Sequence, residues 1–416
     1  MIGMAMMRDR PIADIVSALG LSLPDARRSE VAPSAIVAAR KRLGEKPVEY
    51  LFHRTADKWA FESAAAHRWR KLQLFGVDGT TLRVADSDEN RAHFGLASGG
   101  ERGDSAYPLV RVVALMAVRS HLLADVRFGP YKHGEHTLAE ELWEWITDHS
   151  LTLIDREFLT PKIVVPLQHG GVERHWLMRT KKNTKWKVLE TLGPKDVLVE
   201  LKTSRQARTQ DPSLPETWTA RAIAYSYKGH KSGWLLTSLV DPKLYPRKEL
   251  VAPYNERWEL ELGFDEVKTE MRDSEFSLRS KTVDGTYQEL WGTLLAYNLV
   301  RKEMERVADK AGVEPTKISF ATSLRLITDV WLLCAGNPDA IPDLLRRLET
   351  SMRRLILPPR RPHRVYPRAV KIKMSSYRKK RRPPPRRPKR APPRRPQQVP
   401  RPKGPLLDPR TRREAR

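Results

Sequence analysis

The chain has 416 residues, of which 40% are apolar and 11 are tryptophan, and this composition excludes a wholly disordered protein. Its only cysteine, Cys334, excludes an internal disulfide and a cysteine-rich zinc site. The net charge of +26 predicts a polyanionic partner, and the lack of any run of 18 apolar residues argues against a membrane span and for a cytoplasmic location.

Residues 1–66 are predicted to form a helical N-terminal region. Ile12, Ile15 and Leu19 recur at helical spacing, and Pro33 begins a second helical segment that ends near Gly44. Two short helices suit a DNA-binding or accessory unit, but they suit a helical cap without a function of its own equally well. The sequence leaves both interpretations open.

Residues 67–162 show the pattern of a mixed α/β sheet. We expect a strand that ends at Asp78, a turn at Gly79 and a short return strand over residues 81–85. The sequence then predicts two apolar strands, a helix and a buried strand that ends on Asp155, at residues 109–118, 122–128, 135–149 and 151–154. Strands followed by a helix and another buried strand indicate an α/β core.

Residues 163–245 are interpreted as a β-rich subdomain inserted into that core. Short β-rich pieces are separated by Gly, Pro and Lys clusters, at residues 163–167, 175–179, 197–202, 220–227 and 234–239. Helices are then predicted over residues 254–271 and 287–308, with more to about residue 355. Residues 246–358 would therefore complete the core and add C-terminal helices.

Residues 359–416 are predicted to be a disordered basic tail, because their Pro- and Arg-rich composition precludes a packed core. Residues 360–416 contain 23 Lys and Arg and only two acidic residues, whereas the rest of the chain carries a net charge of only +5. Lys and Arg release condensed counterions from nucleic acid, which is therefore the expected partner. A solvated tail that binds nothing specific is the alternative.

Three carboxylates stand out by their placement. Asp78 and Asp155 each end a predicted apolar strand, and Glu261 lies on the predicted helix over residues 254–271. Carboxylates from neighbouring strand ends and a helix can converge and hold divalent cations, and two such ions can promote phosphoryl displacement. Taken alone, each Asp is more often a turn or cap residue.

The helix supplies a further indication. On a regular α-helix, Tyr254, Arg257, Glu261 and Lys268 lie within about 60° of one another. An adjacent apolar stripe would dock the helix, formed by Leu260, Phe264, Val267 and Met271. An ordinary amphipathic helix with an Arg257–Glu261 ion pair explains the pattern equally well, and the angle of Asp265 does not exclude it as a rival carboxylate.

The spacing Tyr254-x2-Arg257-x3-Glu261-x6-Lys268 resembles the YREK signature of the bacterial insertion-sequence transposases typified by insertion sequence four. The surrounding segments are similar to that family as well, at residues 278–280, 288–292 and 295–299. The resemblance implies a ribonuclease-H-like mixed sheet with helices, interrupted by a β-rich insertion before the catalytic glutamate.

The resemblance also assigns roles to residues. It implies that Asp78, Asp155 and Glu261 are the DDE triad that holds Mg²⁺, with Mn²⁺ expected to substitute. By the same resemblance Tyr254, Arg257 and Lys268 contact the DNA backbone of the transposon end. Trp234, which precedes an apolar Leu-Leu-Thr segment, corresponds to a tryptophan that stacks on a flipped base. The alternative for Trp234 is a core or strand-surface aromatic.

The implied activity is that of a cut-and-paste DNA transposase in the bacterial cytoplasm, associated with the nucleoid. It would cleave the terminal inverted repeats through a hairpin intermediate and transfer the strands into target DNA, as a homodimer in a synaptic complex. Three alternatives stay open: a nuclease or domesticated relative, a non-enzymatic DNA-binding protein, and a defective copy. The last arises because the family has a longer helical region before the equivalent of residues 8–10, so residues 1–66 could be a truncated DNA-binding domain.

Overall fold

A computed structural model of the chain describes residues 1–20, 31–97, 105–225, 233–271 and 278–358. Within these ranges, helices surround a single mixed sheet of nine strands. The predicted disordered tail, residues 359–416, lies outside the described residues. None of the described helices combines the length and the hydropathy that a membrane crossing requires.

The sheet is built from strands that follow one another along the chain as β1 Gln73–Arg83, β2 Leu109–Ala117, β3 Leu122–Pro130, β4 Ser150–Ile154, β5 Arg174–Arg179, β6 Lys187–Gly193, β7 Asp196–Lys202, β8 Thr217–Tyr225 and β9 Gly233–Thr237. Their order across the sheet is β3-β2-β1-β4-β5-β9-β8-β7-β6. The strands β1, β2 and β3 pair antiparallel, whereas β4 runs parallel to β1, and β5 runs parallel to β4. These five strands form the mixed sheet that was predicted as ribonuclease-H-like.

The strands of the predicted insertion extend this same sheet. β9 pairs antiparallel with β5, and β8, β7 and β6 follow it in antiparallel order. The β-rich character of the region is confirmed, and four of the five predicted pieces are strands in their described parts. The boundaries at residues 163 and 245 stay a prediction, as does the division of the chain into five segments.

One predicted strand of the insertion is wrong. Residues 163–167 belong to a helix, α7, which spans Pro161–His169 and is preceded by Thr160 in an extended conformation. Proline fits the first turn of a helix, and a short apolar run cannot by itself distinguish a buried helix from a buried strand. The strand β6 was missed because most of its side chains are exposed, which removes the alternation that marks a half-buried strand.

The predicted turn at Gly79 is also wrong. β1 continues through this position as one strand of 11 residues, in which Asp78 pairs with Ala114 and Gly79 with Val113 of β2. A Cβ atom on Gly79 would lie 2.8 Å from Cδ of Glu135. The glycine therefore allows a side chain to pass close to the strand and does not reverse the chain.

The N-terminal region is helical, as predicted, and it packs on the core. Its helices are α1 Ile2–Met6, α2 Ile12–Ala18, α3 Pro33–Leu43 and α4 Lys46–Ala66. The last of these is long because Phe52, Ala56 and Ala60 repeat every four residues and are fully buried. This buried face lies against β3 and against the long helix α11, Val283–Ala311.

The predicted helix over residues 135–149 is shorter than expected. α6 covers only Glu135–Glu140, and a single 3-10 turn follows at Trp143–Trp145. Ile146 is already extended, and His149 adopts a left-handed φ of 53° directly before β4. The chain leaves the helix early because it has to turn into a buried strand within a few residues.

The predicted helix over residues 254–271 is interrupted twice. It consists of α9 Arg247–Glu256, α10 Trp258–Asp265 and a π-helical turn at Glu266–Glu270. At the junction the N–H of Arg257 donates to the carbonyl of Tyr254, three residues back, at 3.1 Å. Such bonds tighten a helix locally, and Pro253, which lacks an N–H, lies just before them.

Two apolar layers enclose the sheet. Successive residues of β1 point to opposite faces, so that Leu74 joins one layer while Phe75 and Val77 join the other. The first layer contains α10 and α11 together with the C-terminal helices α12 Phe320–Gly336 and α13 Ile341–Arg353. The second contains α6 and α7. Asp78 and Gly76 share the parity of Leu74 and therefore face α10.

Candidate active site

Two of the predicted carboxylates lie next to each other in the sheet. The last parallel pair between β1 and β4 joins Val77 to Ile154. Asp78 and Asp155 are the residues that directly follow this pair in the sequence. Asp78 does not end its strand, because β1 continues along β2, but it does mark the point where β4 stops. The sheet thereby brings the two residues together, as the sequence predicted.

Glu261 reaches the same place because α10 lies directly on the sheet. A Cβ atom on Gly76 would come within 2.5 Å of a methyl group of Leu260, and one on Gly263 within 2.6 Å of Met116 in β2. Glycine on the strand and glycine on the helix therefore allow close packing of the two elements. The predicted docking stripe is confirmed, since Leu260, Phe264, Val267 and Met271 are all buried.

Arg257 joins the helix carboxylate to the strand carboxylate. Its Nη2 donates to Oε1 of Glu261 at 2.8 Å, and its Nη1 lies 3.8 Å from Oδ2 of Asp155. The i, i+4 ion pair expected for an ordinary amphipathic helix is thus present. The same guanidinium also faces Asp155. The rival Asp265 is exposed and accepts a hydrogen bond from Thr269 at 2.9 Å.

The surroundings of Asp78 disfavour the ionised form of its carboxyl group. Burial raises the pKa of its carboxyl to about 6, although the N–H of Gly79, which donates to Oδ1 at 2.8 Å, and the charge of Arg257 oppose this change. The charges of Asp155 and Glu261 raise the same pKa further. The three carboxylates therefore share one electrostatic environment, and a cation among them would be stabilised.

The donor set fits a hard divalent cation, because it consists of carboxylate oxygens. Within the described ranges, however, no three His, Cys, Asp or Glu side chains are already arranged to ligate one ion. Asp155 also caps the 3-10 turn at Arg156–Phe158, where its Oδ1 accepts from the N–H of Glu157 at 3.0 Å. A cation between Glu261 and Asp155 would compete with the guanidinium of Arg257 for Oε1 of Glu261 and Oδ2 of Asp155.

The other signature residues flank the carboxylates. Nζ of Lys268 donates to Oγ1 of Thr80 at 3.0 Å, and Thr80 lies two residues beyond Asp78 on β1. Tyr254 is half-buried against Tyr225, with ring centroids 6.0 Å apart, and burial raises the pKa of its phenol. These groups lie on both sides of the acidic cluster even though the helix that carries them is irregular.

Trp234 lies farther along the sheet, at the start of β9. Its ring meets that of Trp186 edge to face, with centroids 5.7 Å apart, and both rings are half-buried. A cavity of about 680 Å³ opens beside Trp186, and Trp234 does not line it. Four lysines and a second tryptophan do, namely Lys181, Lys185, Lys187, Lys202 and Trp218. The run of lysines around Trp186 is the sequence feature that marks this basic cavity, which was not predicted.

Buried hydrogen bonds converge on Glu289 of α11. Glu289 is 3% exposed and accepts hydrogen bonds from the N–H groups of Arg279 and Ser280, each at 3.0 Å. Arg8 donates to the same carboxylate at 3.2 Å. One glutamate of α11 thus holds both the loop before that helix and the N-terminal region.

Comparison with known proteins identifies the family. Residues 69–299 match the family described as "Transposase DDE domain", and residues 1–53 match the one described as "Insertion element 4 transposase N-terminal". The transposase InsG for insertion sequence element IS4 of Escherichia coli (strain K12) is 39% identical over 379 residues, which cover 90% of this chain and 84% of that protein.

Among solved structures, a piggyBac transposase synaptic complex with hairpin DNA aligns over 87% of this chain and 75% of that chain. The TM-score is 0.41 at 12% identity, a likeness too low to support a statement about this chain. The family matches and the InsG relative stand without it. They show that the chain belongs to the IS4 family of DDE transposases, enzymes that act on DNA with the help of divalent metal ions.

Proposed function

We propose that this transposase excises its insertion sequence by cut-and-paste transposition, with Asp78, Asp155 and Glu261 as the residues that hold its metal ions. The observation that carries the proposal is the meeting of Asp78, Asp155 and Glu261 around Arg257, beyond the last β1–β4 pair. Carboxylates from a sheet and a helix that affect one another electrostatically form a suitable site for Mg²⁺, and Mn²⁺ would substitute.

When bound, the ions would activate the attacking oxygen and stabilise the leaving oxygen of the scissile phosphodiester. The chain's own residues prepare the site for this. Asp78 supplies a carboxylate that burial makes costly to ionise, and it therefore gains most from a nearby cation. Asp155 and Glu261 supply carboxylates that are partly exposed and can be reached from solvent.

The basic groups around the acids would bind the DNA backbone. Arg257 has a planar set of donors that matches a phosphate, and in the free protein those donors are directed at two carboxylates. When a cation binds Asp155 and Glu261, the guanidinium can donate instead to a phosphate beside the site. Lys268 and Tyr254 would contact phosphates on either side.

The order of reactions is taken from the family. Water would cut one strand at each terminal inverted repeat, and the freed 3′ hydroxyl would attack the opposite strand, giving a hairpin and releasing the flanking DNA. A second water would open the hairpin and free the 3′ hydroxyl again, which would then attack a phosphodiester of the target DNA. Trp234 would stack on a base displaced near the hairpin, a contact worth about 1–3 kcal/mol per base. Two ends have to be cut together, so a homodimer in a synaptic complex is the expected assembly.

The test uses the full chain with DNA duplexes that carry the inverted repeats flanking its gene. With Mg²⁺ we expect nicked, hairpin and joined products, which denaturing gels separate. Asp78→Asn and Glu261→Gln should each remove all three products while the DNA is still bound. Asp265→Asn, a carboxylate change on the same helix, is the matched control and should cut normally.

The products decide between the proposal and its rivals. Nicks without hairpin or joined DNA would indicate a nuclease, and binding without any cleavage would indicate a non-enzymatic DNA-binding protein. Normal cleavage by Glu261→Gln would show that the metal site has been assigned to the wrong residues.

A further inference from the structure

A buried histidine contacts two glutamates that flank Glu261. Nε2 of His121 lies 2.9 Å from Oε2 of Glu259, and Nδ1 of the same ring lies 3.4 Å from Oε2 of Glu266. His121 is 2% exposed and sits in the turn between β2 and β3 with a left-handed φ of 61°. The segment that carries Glu261 is therefore fastened to this turn both before and after that residue.

Glu266 is also tied to the long helix α11. Arg301, which is 1% exposed, donates from Nε to Oε2 of Glu266 at 2.9 Å and from Nη2 to Oε1. The hydroxyl of Tyr297 donates to Oε2 at 2.9 Å. Burial opposes the charge on Glu266, but Arg301 and His121 outweigh it and lower the pKa of the carboxyl to about 2. Glu266 is therefore a fixed anion held from three sides.

Glu266 is at the same time the first residue of the π-helical turn. The N–H of Met271 donates to the carbonyl of Glu266, five residues back, at 3.0 Å. Such a turn accommodates one residue more than an α-helical turn, so side chains within and after it are rotated by up to about 100°. Lys268 lies within this turn and reaches Thr80 on β1. The turn thus sets the direction of Lys268 relative to Glu261.

We propose that Glu266, Arg301 and His121 are positioning residues: they hold the π-helical turn and thereby fix Glu261 and Lys268 relative to the ends of β1 and β4. This inference rests on the proposed function, because it takes Glu261 as a metal-holding residue and Lys268 as a DNA contact. In this role the three residues act through Glu261 and Lys268 and not through contacts of their own with DNA or ions.

Stability alone does not account for this network. A buried arginine–glutamate pair often contributes less to folding than two apolar residues of similar volume would. The surroundings are apolar, since Arg301 lies over the ring of Phe320 and the core contains Leu260 and Met304 nearby in the same layer. A pair of charges is useful here because its geometry is directional, whereas apolar contacts would leave the helical turn free to revert to a regular α-helix.

The test replaces both partners together, as Glu266→Met with Arg301→Met, so that no buried charge is left alone. We expect a folded chain whose amides over residues 258–271 exchange hydrogen at least tenfold faster. Mn²⁺ binding to the DNA complex, measured by electron paramagnetic resonance, should weaken at least fivefold, and single-turnover cleavage should slow at least tenfold. The control replaces the pair Glu303 and Arg306, which lies on α11 outside the network, by methionine.

A second variant guards against a folding defect in the first. His121→Asn keeps a residue type that tolerates a left-handed φ but removes the link between Glu259 and Glu266. It should weaken Mn²⁺ binding about threefold at an unchanged melting temperature. The proposal is overturned if either variant folds and matches the wild type in hydrogen exchange, Mn²⁺ binding and cleavage.

Glu261→Gln, tested in parallel, separates this inference from the proposed function. If Glu261→Gln abolishes cleavage while the double variant cuts at the wild-type rate, the positioning role fails and the function stands. If Glu261→Gln cuts normally, the assignment of the active site fails.

Discussion

Arg257 donates to Glu261 across one turn of the helix region at 2.8 Å, and this contact defines the state of the site in the free protein. The same guanidinium faces Asp155 at 3.8 Å, so two of the three carboxylates share one cation supplied by the chain. The ion pair and the catalytic signature were rival explanations of one sequence pattern. The structure shows the ion pair, and because that pair joins the signature arginine to the signature glutamate, it is compatible with the catalytic interpretation.

Replacing Arg257 should change the affinity for metal ions and the affinity for DNA in opposite directions. Arg257→Gln removes a positive charge beside Asp155 and Glu261, so divalent ions should bind the DNA-free chain about tenfold more tightly. Affinity for transposon-end DNA should fall, and the slope of log affinity against log salt should become shallower by about 0.9 for one lost phosphate contact. Calorimetry with Mn²⁺ and a salt series of DNA titrations measure the two effects.

The control for this prediction is Arg156→Gln. Arg156 follows Asp155 directly and pairs with Glu157 at 3.3 Å, but its guanidinium contacts neither Asp155 nor Glu261. It carries the same charge and is the direct chain neighbour of Asp155. Equal gains in ion affinity from both variants would mean that overall charge, and not the Arg257 bridge, limits metal binding.

The raised pKa of Asp78 predicts that, in the absence of metal ions, the free energy of unfolding falls as the pH rises. Its pKa is raised from 3.8 to about 6 in the folded protein, so the folded state binds more protons than the unfolded state between these values. Stability contributed by this group is therefore lost as the pH rises through that window. After allowance for partial exposure, Asp78→Asn should be more stable than the wild type by about 1–2 kcal/mol at pH 7.5.

The measurement is urea denaturation in EDTA at pH 4 and pH 7.5. At pH 4 Asp78 is protonated in the folded protein and only about half ionised in the unfolded chain, so most of the difference in stability between the two proteins should be absent there and should develop as the pH rises to 7.5. Asp125 has a similarly raised pKa, also because of burial, but it is present in both proteins and cancels in the difference. A difference that does not change with pH would contradict the assignment of the cost to Asp78.

The contacts of Glu289 predict that replacing it lowers the stability of the fold and does not act on the catalytic step. Glu289→Gln weakens charge-assisted hydrogen bonds from the backbone of Arg279 and Ser280 and from the side chain of Arg8. We expect a loss of about 2–3 kcal/mol in the free energy of unfolding, together with faster proteolysis near the N-terminus. Glu303→Gln, an ion-paired glutamate on the same helix, should cost less than about 1 kcal/mol.

The elements that could be predicted from the sequence are those with a local signal. The strand β4 and the two N-terminal helices α2 and α3 follow from apolar periodicity and from the proline that begins α3, and Asp155 follows from its place at the end of an apolar run. The proximity of Asp78 to Asp155 was predicted from two strands that reach the same edge of a sheet, although only β4 stops there and β1 continues past Asp78.

The errors come from contacts that are distant in the sequence. The continuation of β1 through Gly79 depends on its pairing with β2, more than 30 residues away, and on the approach of Glu135. The π-helical turn begins at Glu266, whose partners Arg301 and His121 are distant in the sequence and are not revealed by any pattern around residue 266. Helical angles computed on a regular helix are therefore approximate, although the docking stripe was predicted correctly.

Gly76 predicts a link between strand packing and catalysis. A methyl group at this position would come within 2.5 Å of Leu260, so Gly76→Ala should push α10, and Glu261 with it, away from β1. We expect a loss of about 1–3 kcal/mol in stability, as for other overpacked cores. Cleavage should fall at least tenfold, because small displacements of catalytic groups are costly.

The second-site variant Leu260→Ala distinguishes this effect from general damage. Leu260 is 1% exposed and contacts the space that the new methyl group would need. The double variant Gly76→Ala with Leu260→Ala should therefore recover a large part of the cleavage rate, although Leu260→Ala alone leaves a cavity and is destabilised by about 2–5 kcal/mol. Additive losses in cleavage would show that the two positions act independently, and then the distance between α10 and β1 could not be what places Glu261 beside Asp78.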